Sequence, residues 1–136
     1  MRRLFADAFY WIALLHAVDQ WHQRMTVSTA TLPTHHLYTT AAVFDEYLAT
    51  YSARGALLRQ RAAATVCRLL ASPTVTIIPQ TRDLFLVGLT LYEARLDKEY
   101  SLTDCMSMHV MRREGLTDVL TNDRHFTQEG FHILFP

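Results

Sequence analysis

The sequence has no net charge that would point to a polyanionic partner, and it contains little cysteine. Thirteen lysines and arginines balance thirteen aspartates and glutamates among 136 residues, so attraction to phosphates would need a local basic patch or a bound metal. The two cysteines, Cys67 and Cys105, form neither a CxxC pair nor a cysteine and histidine ligand spacing. We therefore expect buried thiols without a disulfide or a zinc site, which is typical of a reducing compartment.

Long apolar runs are missing as well. No segment approaches the roughly 20 apolar residues that a membrane-spanning helix needs. The apolar residues 9–15 follow two arginines, as in a signal peptide, but Asp7 and Asp19 lie close on either side and no small-residue cleavage site follows. These features predict a soluble protein of the cytoplasm that has no membrane segment.

What the sequence does contain is an alternation of short β-type segments and longer helical ones. Half of the positions are hydrophobic, which is enough for the core of one α/β domain over residues 1–136. Apolar spacing and capping residues predict strands over 4–6, 34–38, 75–78, 118–121 and 131–135, and helices over 8–25, 41–52, 56–71, 81–95 and 101–114. This alternation predicts a three-layer α/β/α domain with a mostly parallel sheet of about four to five strands.

Four acidic residues fall where such a sheet gathers its functional groups. Asp7 directly follows the first predicted strand, and Asp123 comes shortly after the strand 118–121. Glu46 and Asp104 lie in the N-terminal halves of two predicted helices, from which side chains can reach the same rim. Because the carboxyl ends of parallel strands converge at one edge, we expect these four side chains to meet in one cleft.

A cluster of four carboxylates needs a cation. Carboxylates held close together repel one another and take up protons unless positive charge is present. Mg²⁺ and Mn²⁺ prefer oxygen ligands and commonly keep several waters. Such an ion can bind a phosphodiester oxygen, activate a water for in-line attack and neutralise the leaving oxygen. The acids therefore predict metal-assisted phosphodiester hydrolysis.

Each acid also has a purely structural explanation. An aspartate at a strand end or a helix start is usually a cap or a turn residue, and Asp104 fits an ordinary helix start after Ser101. Asp45 is an alternative to Glu46, because neighbouring residues lie about 100° apart around a helix. We prefer Glu46, although the sequence alone leaves both open.

The histidines, several arginines and Trp11 each allow a functional and a structural interpretation. The seven histidines show no HxH or HxxxH spacing, so we expect most at the surface or in the core, and His125 to position its neighbours rather than act as a base. The arginines between 54 and 68 either hold a phosphate backbone near Glu46 or form a solvated helix face. Trp11 is expected to pack in the core rather than stack on a base.

Four stretches, in chain order, resemble the motifs of the PIN domain and, within it, the VapC-like bacterial ribonucleases. They are LFADAFYWIA at 4–13, TTAAVFDE at 39–46, DKEYSLTDC at 97–105 and LTNDRHF at 120–126. The resemblance covers nearly the whole chain, and its most specific motifs lie in the C-terminal third.

This resemblance implies that Asp7, Glu46 and Asp104 are the core metal-binding acids and that Asp123 completes the site. It implies Mg²⁺ (or Mn²⁺) as cofactor, RNA as substrate, and a toxin held inactive by a cognate antitoxin protein. It also implies a homodimer. Relatives commonly carry serine or threonine directly after the first aspartate, where a hydroxyl assists the metal site, whereas this chain has Ala8.

Two other functions fit the same acids. One is a catalytically silent PIN-like module that binds RNA or protein, and the other is a different metal-dependent hydrolase, such as a DNA nuclease or a phosphatase. The presence of all four acids favours cleavage over a silent module. The preference for RNA over DNA rests on the resemblance alone.

Overall fold

A computed structural model describes residues 1–15, 21–32 and 34–135, and over these the chain forms five strands and seven helices. The strands are β1 (Arg2–Ala6), β2 (His35–Thr40), β3 (Val75–Ile78), β4 (Asp118–Leu120) and β5 (His132–Ile133). The helices are α1 (Ala8–Leu15), α2 (His22–Thr31), α3 (Ala41–Tyr51), α4 (Ala56–Leu70), α5 (Arg82–Ala94), α6 (Leu102–Glu114) and α7 (His125–Gln128). None of these described helices is both long and apolar enough to cross a lipid bilayer.

The described strands form one sheet in the order β3-β2-β1-β4-β5, and each neighbouring pair is parallel. The central strand β1 pairs with β2, where Leu4 lies opposite Leu37, and with β4, where Phe5 lies opposite Val119. Leu4, Phe5 and Val119 are fully buried, as expected for strands covered on both faces. The prediction of an α/β fold with a parallel sheet is confirmed.

The helices flank this sheet in two layers. The chain moves outward from β1 through β2 to β3, then crosses back to β4 and β5 on the other side of β1. Right-handed crossovers, which nearly all parallel strands follow, place α1 to α4 on one face and α5 to α7 on the other. Accordingly, α1 packs on α2 and α3, whereas α6 packs on α5 and α7. The direction reverses between β1 and β4, which is where parallel sheets place their functional sites.

The N-terminal helical region differs from the single helix predicted over 8–25. The structure has α1 and then α2, which continues past the predicted end at Met25, and residues 16–20 lie outside the described part of the chain. The threonine-rich end of α2 has low intrinsic helix propensity. However, Met25 is fully buried, and the Tyr10 hydroxyl lies within hydrogen-bond distance of Thr29 Oγ1 at 3.1 Å. Tertiary packing therefore extends this helix.

Two predictions about strands are wrong in detail, and one short helix was missed. The β-branched residues 75–78, bounded by two prolines, predict a buried strand, whereas the residues of β3 are half-buried because β3 is an edge strand of the described sheet. The strand predicted over 131–135 is confined to the two residues of β5. The helix α7 was not predicted, since four residues are too few to show a helical period.

The two cysteines lie in different environments. Cys105 is buried in α6, as predicted, whereas Cys67 is exposed on α4, so the prediction of two buried thiols is wrong for Cys67. Within the described chain α4 buries Ala62 alone, which leaves most of this helix facing solvent. The Cys67 thiol therefore lies on a solvated helix face.

Candidate active site

Asp7 is buried at the carboxyl end of the central strand, with 7% of its surface exposed. Thr121, just beyond β4, donates a hydrogen bond from Oγ1 to Asp7 Oδ2 at 3.1 Å. The same Thr121 oxygen accepts a hydrogen bond from the backbone N–H of Asp123 at 3.1 Å. One buried hydroxyl therefore links two of the predicted site acids, one from each side of the switch point between β1 and β4.

The environment of Asp7 is unfavourable for a negative charge. Burial raises the pKa of Asp7 to about 7, and the negative charges of Asp104 and Glu46 contribute to the rise. Hydrogen bonds from the Ala8 N–H and from Thr121 act in the opposite direction but do not cancel it. Without a cation, Asp7 is therefore partly protonated at neutral pH.

Two threonines at the end of β2 fix the start of α3. Thr40 caps the helix, because its Oγ1 accepts a hydrogen bond from the Val43 N–H at 3.1 Å. Thr39 is fully buried and donates from Oγ1 to the carbonyl oxygen of Ala6 at 2.8 Å. The helix thus begins beside the end of β1 and the aspartate that follows it.

Glu46, rather than Asp45, lies on the side of α3 that faces the other acids. Burial raises the pKa of Glu46, and the charges of Asp104 and Asp123 raise it further, while a hydrogen bond with the Thr103 side chain opposes the rise. Asp45, one position earlier, is exposed to solvent. The helix register therefore supports the choice of Glu46.

Asp104 is held at the start of α6 by a capping box. Ser101 Oγ accepts a hydrogen bond from the Asp104 N–H at 3.0 Å, and Asp104 Oδ2 accepts one from the Ser101 N–H at 3.1 Å. Burial raises the pKa of Asp104 and the charge of Asp123 adds to this, although the Ser101 N–H bond counteracts it. The capping role and a place in the acid cluster are therefore compatible, since the cap fixes the carboxylate beside its acidic neighbours.

The carboxylates of Asp104 and Asp123 meet at His125. Nδ1 of His125 lies 3.4 Å from Asp104 Oδ2 and 3.3 Å from Asp123 Oδ1. The backbone N–H of His125 also donates to Asp123 Oδ1 at 2.9 Å. One possible ligand atom from each of the three residues lies within 4.8 Å of the others, a spacing that can hold a metal ion.

The structure thus brings the four predicted acids to one edge of the sheet and adds residues that the sequence analysis did not single out. Thr121 and Thr103 were missed. Thr121 carried a usable signal, because a hydroxyl residue ends a predicted strand two positions before an acid. Thr103 carried none, because its contact with Glu46 depends on how α3 and α6 pack.

The arginines near α4 make local contacts. The Arg54 guanidinium lies over the Tyr51 ring, and Arg59 donates to the Ser52 carbonyl oxygen at 2.9 Å. These contacts favour a solvated helix face over a phosphate-binding row beside Glu46. Trp11 is buried, as predicted for a core residue.

The family description "PIN domain" matches residues 5–131 of this chain. The chain therefore belongs to the PIN domain family. This confirms the resemblance found in the sequence motifs and supports the predicted nuclease class. No curated protein matches the chain in sequence.

Solved structures share its fold. Mycobacterium tuberculosis VapC20, described as a sarcin-ricin loop cleaving toxin, is 28% identical, with a TM-score of 0.82 over 94% of this chain and 95% of that one. FitAcB from Neisseria gonorrhoeae is 16% identical, with a TM-score of 0.67 over 96% and 95% of the two chains. FitAB bound to an IR36 DNA fragment is also 16% identical, with a TM-score of 0.70 over 96% and 93%. The two structures at 16% identity show the shared fold.

Proposed function

We propose that this protein is a metal-dependent endoribonuclease whose active site consists of Asp7, Glu46, Asp104 and Asp123. The proposal rests on one observation: these acids lie close enough to repel one another at the switch point between β1 and β4. Burial and mutual repulsion raise the pKa of Asp7, Glu46 and Asp104 together. Such an arrangement is costly in a protein without a cation and is typical of a metal site.

The donor set suits a hard divalent cation. Carboxylate oxygens are the ligands that Mg²⁺ and Mn²⁺ prefer, and the four acids offer several of them. Such a cation, when bound, supplies the positive charge that favours attack of water on a phosphodiester. The chain's own residues hold the carboxylates in place: Thr121 holds Asp7, Ser101 holds Asp104, and a backbone N–H holds Asp123.

The comparison with VapC20 supports RNA as the substrate. That protein is described as a toxin that cleaves the sarcin-ricin loop, and the two chains superimpose over nearly their whole length. An RNA hairpin with the sequence of that loop is therefore the first defined substrate to test. The same comparison supports a toxin role, with a cognate antitoxin protein as the partner that suppresses cleavage.

Cleavage assays on matched RNA and DNA oligonucleotides test this proposal. With Mg²⁺ or Mn²⁺ we expect the purified protein to cut RNA, and with chelator we expect no cutting. Glu46→Gln should abolish cleavage, whereas Asp45→Asn, a matched change at the exposed neighbouring position, should leave it unchanged. Preference for DNA would contradict the proposed substrate, and metal-dependent RNA binding without cutting would favour the silent binding module.

The proposed homodimer has a suitable surface on α5. Apolar residues recur at the spacing of one face along α5 and just past its end, and three of the four are exposed: Phe85, Leu89, Tyr92 and Leu96. Arg82 and Glu93 flank the same side of this stripe towards opposite ends. An antiparallel pair of α5 helices would therefore bring unlike charges together.

Sedimentation analysis tests the dimer. Tyr92→Glu, at a side chain 49% exposed, should shift the protein to a monomer by placing charge in the apolar contact. Leu57→Glu, at an α4 position 59% exposed, provides the matched control and should not change the mass. A wild-type protein that is monomeric at micromolar concentration would contradict this part of the proposal.

A further inference from the structure

Glu129 lies outside the acid cluster, and both of its carboxylate oxygens accept hydrogen bonds from neighbouring side chains. Its side chain is only 5% exposed, and Arg95 binds it through two nitrogens, with Nε 2.9 Å from Oε2 and Nη2 3.3 Å from Oε1. Arg112 donates to Oε1 at 2.8 Å, and the Tyr100 hydroxyl donates to Oε2 at 3.0 Å. Glu129 therefore ties together groups from the ends of α5 and α6 and the segment between them.

Glu129 carries its negative charge over the whole physiological range. Burial works against ionisation, but hydrogen bonds from Arg95, Arg112 and Tyr100 lower the pKa of Glu129 to about 2. Charge-assisted hydrogen bonds of this kind are shorter and stronger than neutral ones. The hydroxyl of Tyr100 is thereby held at a fixed point.

The other side of Tyr100 meets the active site. Tyr100 is 4% exposed, and its ring packs edge to face on the His125 ring, with centroids 5.4 Å apart and planes at 63°. His125 places Nδ1 within 3.4 Å of a carboxylate oxygen of Asp104 and of Asp123. Contacts therefore run without a gap from Glu129 through Tyr100 and His125 to two of the site acids.

We propose that Glu129 and Tyr100 are positioning residues that hold the His125 ring between Asp104 and Asp123 and so set the spacing of these two carboxylates. This inference rests on the proposed metal-dependent function. In the described part of the chain no hydrogen bond or ion pair joins Glu129 or Tyr100 to the four acids, so both act through His125. Outer residues that orient a metal site in this way contribute to its affinity although they never touch the ion.

A purely structural role for this network is the competing explanation, because Glu129 also joins helix ends. A second ionic cluster in the chain provides a matched control. Asp118, at the start of β4, accepts one hydrogen bond from Arg2 at 3.0 Å and pairs with His132 at 3.1 Å. It lies at the amino end of its strand, the opposite edge of the sheet from the acid cluster.

Calorimetric titration of the chelator-treated protein with Mn²⁺ distinguishes the two explanations, at a temperature where circular dichroism shows every variant folded. Tyr100→Phe and Glu129→Gln should each weaken Mn²⁺ binding by about 10-fold, the lower end of the range for outer-shell partners. The double variant should bind about as well as the weaker single variant, because both changes act on the same contact between Glu129 and the Tyr100 hydroxyl. Asp118→Asn should bind Mn²⁺ like the wild type, even where it lowers the melting temperature.

Three outcomes would contradict the proposal, and they are distinguishable. Wild-type affinity in Tyr100→Phe and Glu129→Gln, with reduced thermal stability, would make the network purely structural. Equal loss of affinity in Asp118→Asn would show a general effect of destabilisation. A wild-type protein that binds no Mn²⁺ would remove the proposed function itself and this inference with it. A side-chain nitrogen NMR spectrum offers a readout without metal, in which the His125 signals should move in both network variants and stay unchanged in Asp118→Asn.

Discussion

Replacing Asp7 with asparagine should stabilise the metal-free protein and at the same time weaken its response to metal. Asp7 is buried, and its pKa is raised from 3.8 to about 7. A carboxyl group with a higher pKa in the folded than in the unfolded state destabilises the fold as pH rises through that interval. Asparagine keeps an oxygen that can accept the Thr121 hydrogen bond, but it carries no charge at any pH.

The size of the effect follows from the pKa difference. One pKa unit corresponds to about 1.4 kcal/mol, so a rise from 3.8 to about 7 costs the wild type about 4 kcal/mol at pH 8. At pH 5 the folded-state carboxyl is still protonated, and the cost is about 2 kcal/mol. Asp7→Asn should therefore raise the free energy of unfolding at both pH values, and by about 2 kcal/mol more at pH 8.

Urea denaturation in the presence of chelator measures this difference, with Asp45→Asn as the control at an exposed acid. Added Mn²⁺ should reverse the order, because it stabilises the wild type by neutralising the cluster and has a weakened site in Asp7→Asn. An Asp7→Asn variant that is less stable than the wild type at pH 8 in chelator would refute the reasoning. It would mean that the Asp7 charge is already compensated in the metal-free fold.

Three further predictions concern the whole protein. Mn²⁺ at about 100 times its dissociation constant should raise the free energy of unfolding by about 2.7 kcal/mol in denaturation curves, and an unchanged curve would contradict a metal site. Glu129 has its pKa lowered from 4.5 to about 2, so its contribution to the free energy of unfolding is complete above pH 4.5 and is lost as pH falls through about 2. Glu129→Gln should therefore reduce the pH dependence of the free energy of unfolding between these values. An unchanged pH dependence would contradict the ion-pair assignment. Gly88→Ala would place a Cβ 2.5 Å from Met106 Cγ where α5 packs on α6. Thermal unfolding should therefore show a net loss of about 1 kcal/mol in the free energy of unfolding, despite the gain in helix propensity. A rise in melting temperature would show that this contact relaxes freely.

Elements with a clear local signal were predicted well. The strand Val75–Ile78 is β-branched and bounded by prolines, and its predicted ends coincide with those of β3. The starts of α3 and α6 follow from hydroxyl caps at Thr40 and Ser101. Where local signals are weak, the prediction failed. The end of α2 is helical because Met25 is buried, and α7 is too short to show a helical period.

The candidate site likewise combines residues that the sequence predicts and contacts that it does not. The four acids could be predicted because parallel topology brings strand ends and helix starts to one edge, and the family resemblance selects the same positions. The contacts that hold these acids in place could not be predicted from the sequence. Thr121 and Asp7 are 114 positions apart, and Glu129 meets Tyr100 across 29 positions, so each contact depends on how whole elements pack.

The measurement that tests the central claim most directly is cleavage of a mixed RNA pool by the wild type and by Asp104→Asn, each with Mn²⁺ and with chelator. Asparagine keeps an oxygen that can accept the Ser101 N–H bond, so the variant should fold while losing the charge at the centre of the acid cluster. We predict cutting by the wild type with metal and none in the other three conditions. Cutting that persists in Asp104→Asn, or in chelator, would contradict a metal-dependent site at these carboxylates.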